Sequence, residues 1–381
     1  MTDFALVEEA DRATAAGDIA RATAGLRRAV ASGCDDPTVW LKIAALERAS
    51  GRSREALGAV DCALLIAPLD FMALLLRAIL LENLGDKGSA EAFENALARR
   101  PNEPLSPQVA PIVVHGEQRV AEWRDARETR LLRAAASTLC ADAEELVRIN
   151  RFASNVVRRA RVFHSEPTVY HFPGLVEREF HPPRLFPWLT LLEVETDMIA
   201  AELAAVMAAE RNELVPYIQY ASHLPLELWR PLNNSLDWTA IHLLRNGELV
   251  NANARHTPRT LNLLAAIGQP VIPGASPNAM FSLLAPHTQI PPHVGINNSR
   301  LVCHLPLVVP PGCWFRVGAE TREWRRGEAF VFDDTIEHEA ANPSDDLRVV
   351  LIFDVWHPDL SPAEREAVAA MIGSDGSAGS L

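Results

Sequence analysis

Small residues recur every 34 positions along the first hundred residues of the chain. The three columns are Ala10, Ala44 and Ala78; Gly17, Gly51 and Gly85; and Ala22, Ala56 and Ala90. Three columns with one period are typical of stacked structural repeats. Each repeat is expected to be a helical hairpin, in which small residues let two helices approach and glycine ends the first helix. The first part of the chain is therefore predicted to be α-helical.

The middle repeat carries the other residues that such hairpins use. Trp40 occupies the position of the large anchor, and Pro68 falls where the second helix should end. On these residues, the region from residue 3 to about 104 resembles tetratricopeptide repeats, about three in number. The resemblance implies a repeat domain over residues 1–104, with a concave groove suited to a polypeptide substrate or partner.

The segments after the repeats differ in composition. Residues 101–111 are rich in proline and indicate a linker, whereas residues 116–162 contain two further helical patterns. These helices either extend the repeats or support the next domain. We assign residues 105–165 to a linker with connecting helices.

Short apolar runs bounded by proline and glycine dominate the last part of the chain. Such runs predict the strands of a β-sandwich or barrel. The clearest are AMFSLL, RLVCHLPLVV, WFRVG, EAFVFDD and RVVLIFDVW. We predict a strand-rich domain over residues 166–372 and a disordered, Gly/Ser-rich tail over residues 373–381.

Composition excludes several classes of function. The 36 basic and 49 acidic residues give a net charge of −13, which argues against nucleic-acid binding because that requires a surplus of cations. The five cysteines form no CxxC pair, so we expect neither a disulfide framework nor a cysteine-based zinc site, and predict a cytoplasmic location. We predict no membrane span, because charges interrupt every long apolar stretch.

Two histidines and an arginine form a candidate catalytic set. His293 follows two prolines that predict a turn, His338 comes 45 residues later just past a strand, and Arg348 begins the last long strand. A double-stranded β-helix can bring such residues together. Two neutral imidazoles can hold Fe(II) and leave positions open for a 2-oxo acid and O2. Arginine suits the far carboxylate of that acid, because its fork binds carboxylate bidentately.

Strand alternation supports this interpretation. Arg300 and His304 share one face of the run RLVCHLPLVV, while apolar residues occupy the other face. Arg348 likewise shares a face with Val350 and Ile352. The polar residues are therefore expected to line a pocket inside the barrel.

From roughly residue 170 to 368, the chain resembles the aspartyl/asparaginyl β-hydroxylase family of Fe(II)/2-oxoglutarate dioxygenases. The resemblance rests on the blocks PHVGINNSRLVCHLPLVVPPGC, FRVGAETREWRRGEAFVFDDTIEHE and LIFDVWHPDLSPAER. It implies that His293 and His338 are the iron ligands and that Arg300 faces the substrate pocket. It also implies that Ser282 and Arg348 hold the distal 2-oxoglutarate carboxylate, with His304 near the proximal one.

Gly295 stands where most 2-oxoglutarate oxygenases have a third, carboxylate ligand. The resembled family also lacks this carboxylate and uses water there, so the resemblance implies a metal site with two protein ligands. We expect weaker Fe(II) affinity, because one anionic ligand is missing. The acidic residues near His338, Asp333, Asp334 and Glu337 among them, are interpreted as hydrogen-bond partners that orient this histidine.

Two positions depart from the membrane-anchored animal members of the family. Met280 and Val302 replace basic residues there, and both positions matter for binding a substrate carboxylate. The disulfide of those members has no counterpart, since no cysteine lies between Cys140 and Cys303. Hydroxylation of a small molecule or a lipid acyl chain therefore stays an alternative, as does a repeat scaffold with an inactive oxygenase domain.

Together these observations predict an α + β multidomain protein, with N-terminal tetratricopeptide-like repeats and a C-terminal double-stranded β-helix (jelly roll). Its predicted function is Fe(II)-, 2-oxoglutarate- and O2-dependent hydroxylation of an unactivated C–H bond. The preferred substrate is the β-carbon of Asp or Asn in a peptide or protein. The predicted catalytic residues are His293, His338 and Arg300.

Overall fold

The computed structural model describes residues 3–136, 143–209, 213–221, 223–224 and 226–375. The chain forms two compact units, Met1–Arg159 and Ala160–Leu381.

Three helical hairpins begin the first unit. Their helices are α1 (Asp3–Ala15), α2 (Ile19–Ala31), α3 (Pro37–Ala49), α4 (Ser53–Ile66), α5 (Phe71–Asn83) and α6 (Ser89–Leu97). The first helices of the hairpins begin at Asp3, Pro37 and Phe71, which are 34 residues apart. The predicted tetratricopeptide-like repeats are therefore confirmed.

The repeated small residues lie where the hairpins are tightest. Ala10, Ala44 and Ala78 are at most 1% exposed, because each lies between packed helices. The three column glycines follow the first helix of each hairpin and have φ angles of 75°, 76° and 70°. Side chains other than glycine rarely adopt this left-handed conformation, so glycine ends these helices with little strain.

Two further helices belong to the first unit: α7 (Ala110–Ala136) and α8 (Ala143–Val156). The buried face of α7 presents Val113, Gly116 and Val120 to Phe93 of α6. A Cβ atom on Gly116 would lie only 2.7 Å from the Phe93 ring. This packing assigns most of the predicted connecting region 105–165 to the helical unit.

The second unit contains two antiparallel sheets. In chain order, the strands are β1 (Phe180–His181), β2 (Leu214–Pro216), β3 (Trp238–Arg245), β4 (Glu248–Leu249), β5 (Ala279–Leu284), β6 (Thr288–His293), β7 (Arg300–Val308), β8 (Trp314–Val317), β9 (Glu320–Glu323), β10 (Phe330–Phe332), β11 (His338–Asn342) and β12 (Arg348–Trp356). The major sheet has the order β1-β10-β7-β12-β5-β3-β2, with β4 paired to β3, and the minor sheet has the order β6-β11-β8-β9. The predicted jelly-roll class is confirmed.

The two faces of the major sheet have different environments, as alternation predicted. Leu301 and Cys303 of β7 and Leu351 of β12 join a core with α10 (Thr196–Ala208) and α12 (Pro258–Ile267). The intervening residues belong to a second core shared with the minor sheet. The remaining helical segments are a 3-10 turn (Pro183–Leu185), α9 (Leu189–Val194), α11 (Asn251–Ala254) and α13 (Pro362–Ser374).

The last helix extends beyond its predicted end. Ser361 caps α13 with the reciprocal bonds of a capping box, and the helix continues to Ser374. The helix thus includes Gly373 and Ser374, which were predicted to begin a disordered tail. Its last turn is held in place because Ile372 is buried in a cluster with Ile272. Residues 376–381 of that tail lie outside the described residues. Among the described helices, none combines the length and apolar character needed to span a bilayer.

Candidate active site

A cavity of about 560 Å³ lies between the inner faces of the two sheets. Its walls include all six site residues predicted from the sequence, which are Ser282, His293, Arg300, His304, His338 and Arg348. The major sheet contributes four of them, and the minor sheet contributes the two histidines His293 and His338.

The two predicted iron ligands are cross-strand neighbours. His293 ends β6 and His338 begins β11, and these residues oppose each other in the antiparallel register. Their ring centroids are 4.0 Å apart. The two prolines before His293 lie within β6, not in a turn as predicted. An edge strand tolerates proline because one of its sides needs no amide donors, and β6 is at the edge of the minor sheet.

Backbone carbonyls fix both imidazoles in one tautomer. His293 Nδ1 lies 2.8 Å from the carbonyl oxygen of Pro291, and His338 Nδ1 lies 3.1 Å from that of Ile336. Each Nδ1–H therefore donates, which leaves the lone pair on Nε2. Burial and the neighbouring His338 lower the pKa of His293 to about 3, and burial lowers the pKa of His338 to about 4. Both rings are thus neutral, as metal binding requires.

The acidic residues near His338 do not orient it as predicted. Glu337 and Glu339 both form ion pairs with Arg316 on the neighbouring strand. Asp333 accepts hydrogen bonds from the backbone and hydroxyl of Thr335. The Nδ1–H of His338 donates to the backbone carbonyl of Ile336 instead.

Asp334 occupies the space beside Gly295. A Cβ atom at position 295 would lie 2.8 Å from Oδ1 of Asp334, and the Gly295 amide donates to the Asp334 carbonyl at 2.6 Å. Oδ2 of Asp334 is 3.4 Å from Arg300, while Oδ1 is buried without a hydrogen-bond partner among the described residues. The Asp334 carboxylate thus fills the space that a side chain at position 295 would occupy. Burial raises its pKa, and Arg300 opposes this effect.

Arg348 is a buried cation beside Ser282. It is 1% exposed, and its Nη1 donates to the carbonyl and hydroxyl oxygens of Ser282 at 3.3 and 3.4 Å. Its Nε has no partner among the described residues. Burial lowers its pKa to about 10, so it remains charged at neutral pH. A buried guanidinium with a donor that is unpartnered among the described residues favours binding of an anion in the cavity.

A tryptophan that the sequence did not single out sets the direction of the Ser282 hydroxyl. Trp238 Nε1 donates to Ser282 Oγ at 3.1 Å, and its ring stacks on Tyr217 at 3.8 Å. Because Ser282 Oγ accepts from both Trp238 and Arg348, its own hydrogen is left to donate to another acceptor. Residue pairing across β3 and β5 creates this contact, so only the register of distant strands reveals it.

His304 lies on β7 among aromatic rings. Its ring centroid is 4.8 Å from that of Phe332 and 5.0 Å from that of Phe315. Burial, with Arg348 nearby, lowers its pKa well below the ordinary value. The ring is therefore neutral, and its Nδ1 has no partner among the described residues.

An apolar strip separates Arg348 from Arg300 along the inner face of the major sheet. It consists of Met280 on β5, Val302 on β7 and Ile352 on β12, and all three residues line the cavity. Within the described residues, no group of three or more His, Cys, Asp or Glu side chains could hold a metal ion. The His293–His338 pair would hold iron here, because imidazole nitrogens are ligands that suit this metal.

Comparison with known proteins agrees with this geometry. Residues 193–358, which contain all six predicted site residues, match the family described as Aspartyl/Asparaginyl beta-hydroxylase. The second unit contains an aspartyl/asparaginyl β-hydroxylase domain.

Two human proteins illustrate the relationship. Aspartyl/asparaginyl beta-hydroxylase of Homo sapiens is 32% identical over 206 residues, covering 53% of this chain and 27% of the relative. Aspartate beta-hydroxylase domain-containing protein 2 of Homo sapiens is 38% identical over 135 residues, covering 35% of this chain and 37% of the relative. The chain thus spans less than half the length of these relatives.

Helical repeat structures match another part of the chain. The Sgt2 TPR domain from Aspergillus fumigatus is 20% identical and aligns with 32% of this chain and 82% of its own, with a TM-score of 0.28. The Arabidopsis OM64 TPR domain is also 20% identical, with 32% and 95% coverage and a TM-score of 0.28.

Proposed function

We propose that this protein is an Fe(II)- and 2-oxoglutarate-dependent hydroxylase of an unactivated C–H bond. The observation that carries the proposal is the placement of two complementary features in one cavity. A neutral histidine pair presents Nε2 lone pairs, and the buried Arg348 lacks a carboxylate partner among the described residues.

The chain's residues have separable roles in this proposal. His293 and His338 would hold Fe(II), which with O2 supplies the oxidation that converts C–H to C–OH and 2-oxoglutarate to succinate and CO2. Arg348 and the Ser282 hydroxyl would hold the distal carboxylate. His304 would lie near the proximal carboxylate as a neutral group.

Arg300 and Asp334 would contribute to the substrate side. Arg300 is 7% exposed and makes a 3.4 Å contact to Asp334, so part of its donor fork can still serve a ligand. Oδ1 of Asp334, which has no partner among the described residues, would accept a hydrogen bond from a donor that enters the site.

The preferred substrate is the β-carbon of Asp or Asn in a polypeptide. Family membership of the domain supports this choice, and stacked helical hairpins commonly bind extended chains. A polypeptide partner of the repeats and a cytoplasmic location remain predictions. A small molecule or a lipid acyl chain is the second candidate, which the apolar strip of Met280, Val302 and Ile352 favours.

Succinate formation tests the proposal directly. Purified protein with Fe(II), 2-oxoglutarate and O2 should release succinate, and His338→Ala should abolish this release while the protein stays folded. His287→Ala is the matched control, because His287 is exposed and does not line the cavity. Succinate release from a folded His338→Ala protein at the wild-type rate would remove this site from consideration. A peptide or metabolite that gains the mass of one oxygen atom would identify the substrate.

A further inference from the structure

Trp324 lies at the end of the cavity where Arg348 is buried. It directly follows β9, is 4% exposed and lines the cavity. The guanidinium carbon of Arg348 lies over its ring, 4.7 Å from the centroid. Sequence patterns do not indicate a role for Trp324, because it lies outside the strands whose alternation marks the inner face.

The indole N–H of Trp324 has no acceptor among the described residues, although it is buried. A buried donor without a partner costs free energy, and native proteins contain few of them. Arg348 Nε, in the same part of the cavity, is also without a partner. Together with the Ser282 hydroxyl, three donors therefore line this end of the cavity without an acceptor oxygen among the described residues.

The surroundings hold the indole in place. Its ring stacks on Phe315 with a centroid separation of 5.4 Å and an interplanar angle of 19°, and its backbone amide donates to the Cys313 carbonyl at 3.3 Å. An indole N–H can only donate. A fixed donor beside a cation favours an oxygen anion, and a carboxylate has enough lone pairs to serve all three donors.

We propose that Trp324 is a further binding residue for the co-substrate. Its Nε1–H donates to the carboxylate that Arg348 holds, and its ring face supports the guanidinium by a cation–π contact. This assignment rests on the proposed function. It makes Trp324 a determinant of selectivity for 2-oxo acids that carry a second carboxylate.

A pair of ligands separates this role from a structural one. 2-Oxopentanoate has the same carbon chain as 2-oxoglutarate but lacks the distal carboxylate. Trp324→Phe keeps a six-membered ring against Phe315 and Arg348 and removes the five-membered ring that carries the donor. We expect the Kd of 2-oxoglutarate to rise by about 10- to 100-fold, because a hydrogen bond to a charged group is lost. The Kd of 2-oxopentanoate should change by less than about threefold, since this ligand has no distal carboxylate to accept the bond.

Calorimetric titration of the Mn(II)-loaded protein measures both constants without turnover. Trp314→Phe is the matched control, because Trp314 is on β8 and does not line the cavity. An unchanged Kd for 2-oxoglutarate in Trp324→Phe, or an equal loss for both ligands, would overturn the assignment. Wild-type protein that binds neither ligand would refute the proposed function, and this assignment with it.

A measurement on the wild-type chain covers the case in which Trp324→Phe does not fold. In the Zn(II)-loaded, 15N-labelled protein, the indole N–H signal of Trp324 can be assigned through its contacts with the Phe315 ring. It should move downfield on addition of 2-oxoglutarate and not on addition of 2-oxopentanoate. A signal that both ligands leave in place would overturn the assignment.

Discussion

Replacing Arg348 should change stability and ligand binding in opposite directions. Burial lowers the pKa of its guanidinium from 12.5 to about 10. At about 1.4 kcal/mol per pKa unit, this corresponds to roughly 3 kcal/mol of unfavourable charge burial in the ligand-free protein. The fold disfavours the charged form, so this cost is present at every pH below about 10, including neutral pH.

Arg348→Met removes the charge and keeps much of the side-chain volume. Without ligand, the variant should have a free energy of unfolding at least equal to that of wild type. Removal of the buried charge should raise this free energy by up to about 3 kcal/mol, and the loss of packing against Trp324 should offset part of the gain. Its Kd for 2-oxoglutarate should rise by roughly 30- to 1000-fold, because a bidentate charged pair in a desolvated pocket contributes about 2–4 kcal/mol. Arg348→Lys should recover only part of this affinity, since an ammonium cannot reproduce the fork.

Urea unfolding of the ligand-free proteins measures the first effect, and calorimetric titration with 2-oxoglutarate measures the second. Binding of Mn(II) alone should change little in either variant and serves as the internal control. A near-normal Kd for 2-oxoglutarate in Arg348→Met would show that the distal carboxylate is held elsewhere, and would refute the proposed co-substrate pocket.

Three further predictions concern other parts of the molecule. Trp238→Phe and Ser282→Ala should each raise the Kd of 2-oxoglutarate by about 3- to 10-fold. The double variant should lose no more affinity than Ser282→Ala alone, because the indole acts through the hydroxyl. Additive losses of affinity in calorimetric titration would contradict this coupling. Gly116→Ala should destabilise the first unit by about 1–3 kcal/mol in a calorimetric scan, because the added methyl group overpacks the helix contact. Gly58→Ala is the control, since a methyl group there in α4 meets open space, and its effect in the same scan should be neutral or slightly stabilising. Burial raises the pKa of Asp333 to about 7, so the folded state binds this proton more tightly than the unfolded state does. The free energy of unfolding should therefore fall by roughly 4 kcal/mol as the pH rises from about 4 to about 7. Asp333→Asn should flatten that dependence in urea unfolding, and an identical pH profile would show that this carboxyl is not responsible.

Local patterns in the sequence predicted the elements and their faces well. The 34-residue period located all three hairpins, because each repeat buries its small residues against its own partner helix. Alternation along β7 and β12 placed Arg300, His304 and Arg348 inward, because side chains on a strand point to opposite faces in turn. The proximity of His293 and His338 was also predicted, and the structure places them on two neighbouring strands of one sheet.

Features that depend on contacts between distant residues were not predictable in this way. The edge position of β6, which lets it contain two prolines, depends on the strand order of the minor sheet. The approach of Asp334 to Gly295 depends on a loop contact across about 40 positions of sequence. The indole N–H of Trp324 has no acceptor among the described residues, which can be recognised only once the atoms around it are placed.

Diffraction from crystals grown with Mn(II) and 2-oxoglutarate, with the metal located by its anomalous signal, tests the central claim most directly. The metal should be bound by Nε2 of His293 and His338, and the distal carboxylate should contact Arg348 and Ser282. A metal peak elsewhere, or a 2-oxoglutarate molecule that does not reach Arg348, would contradict the account.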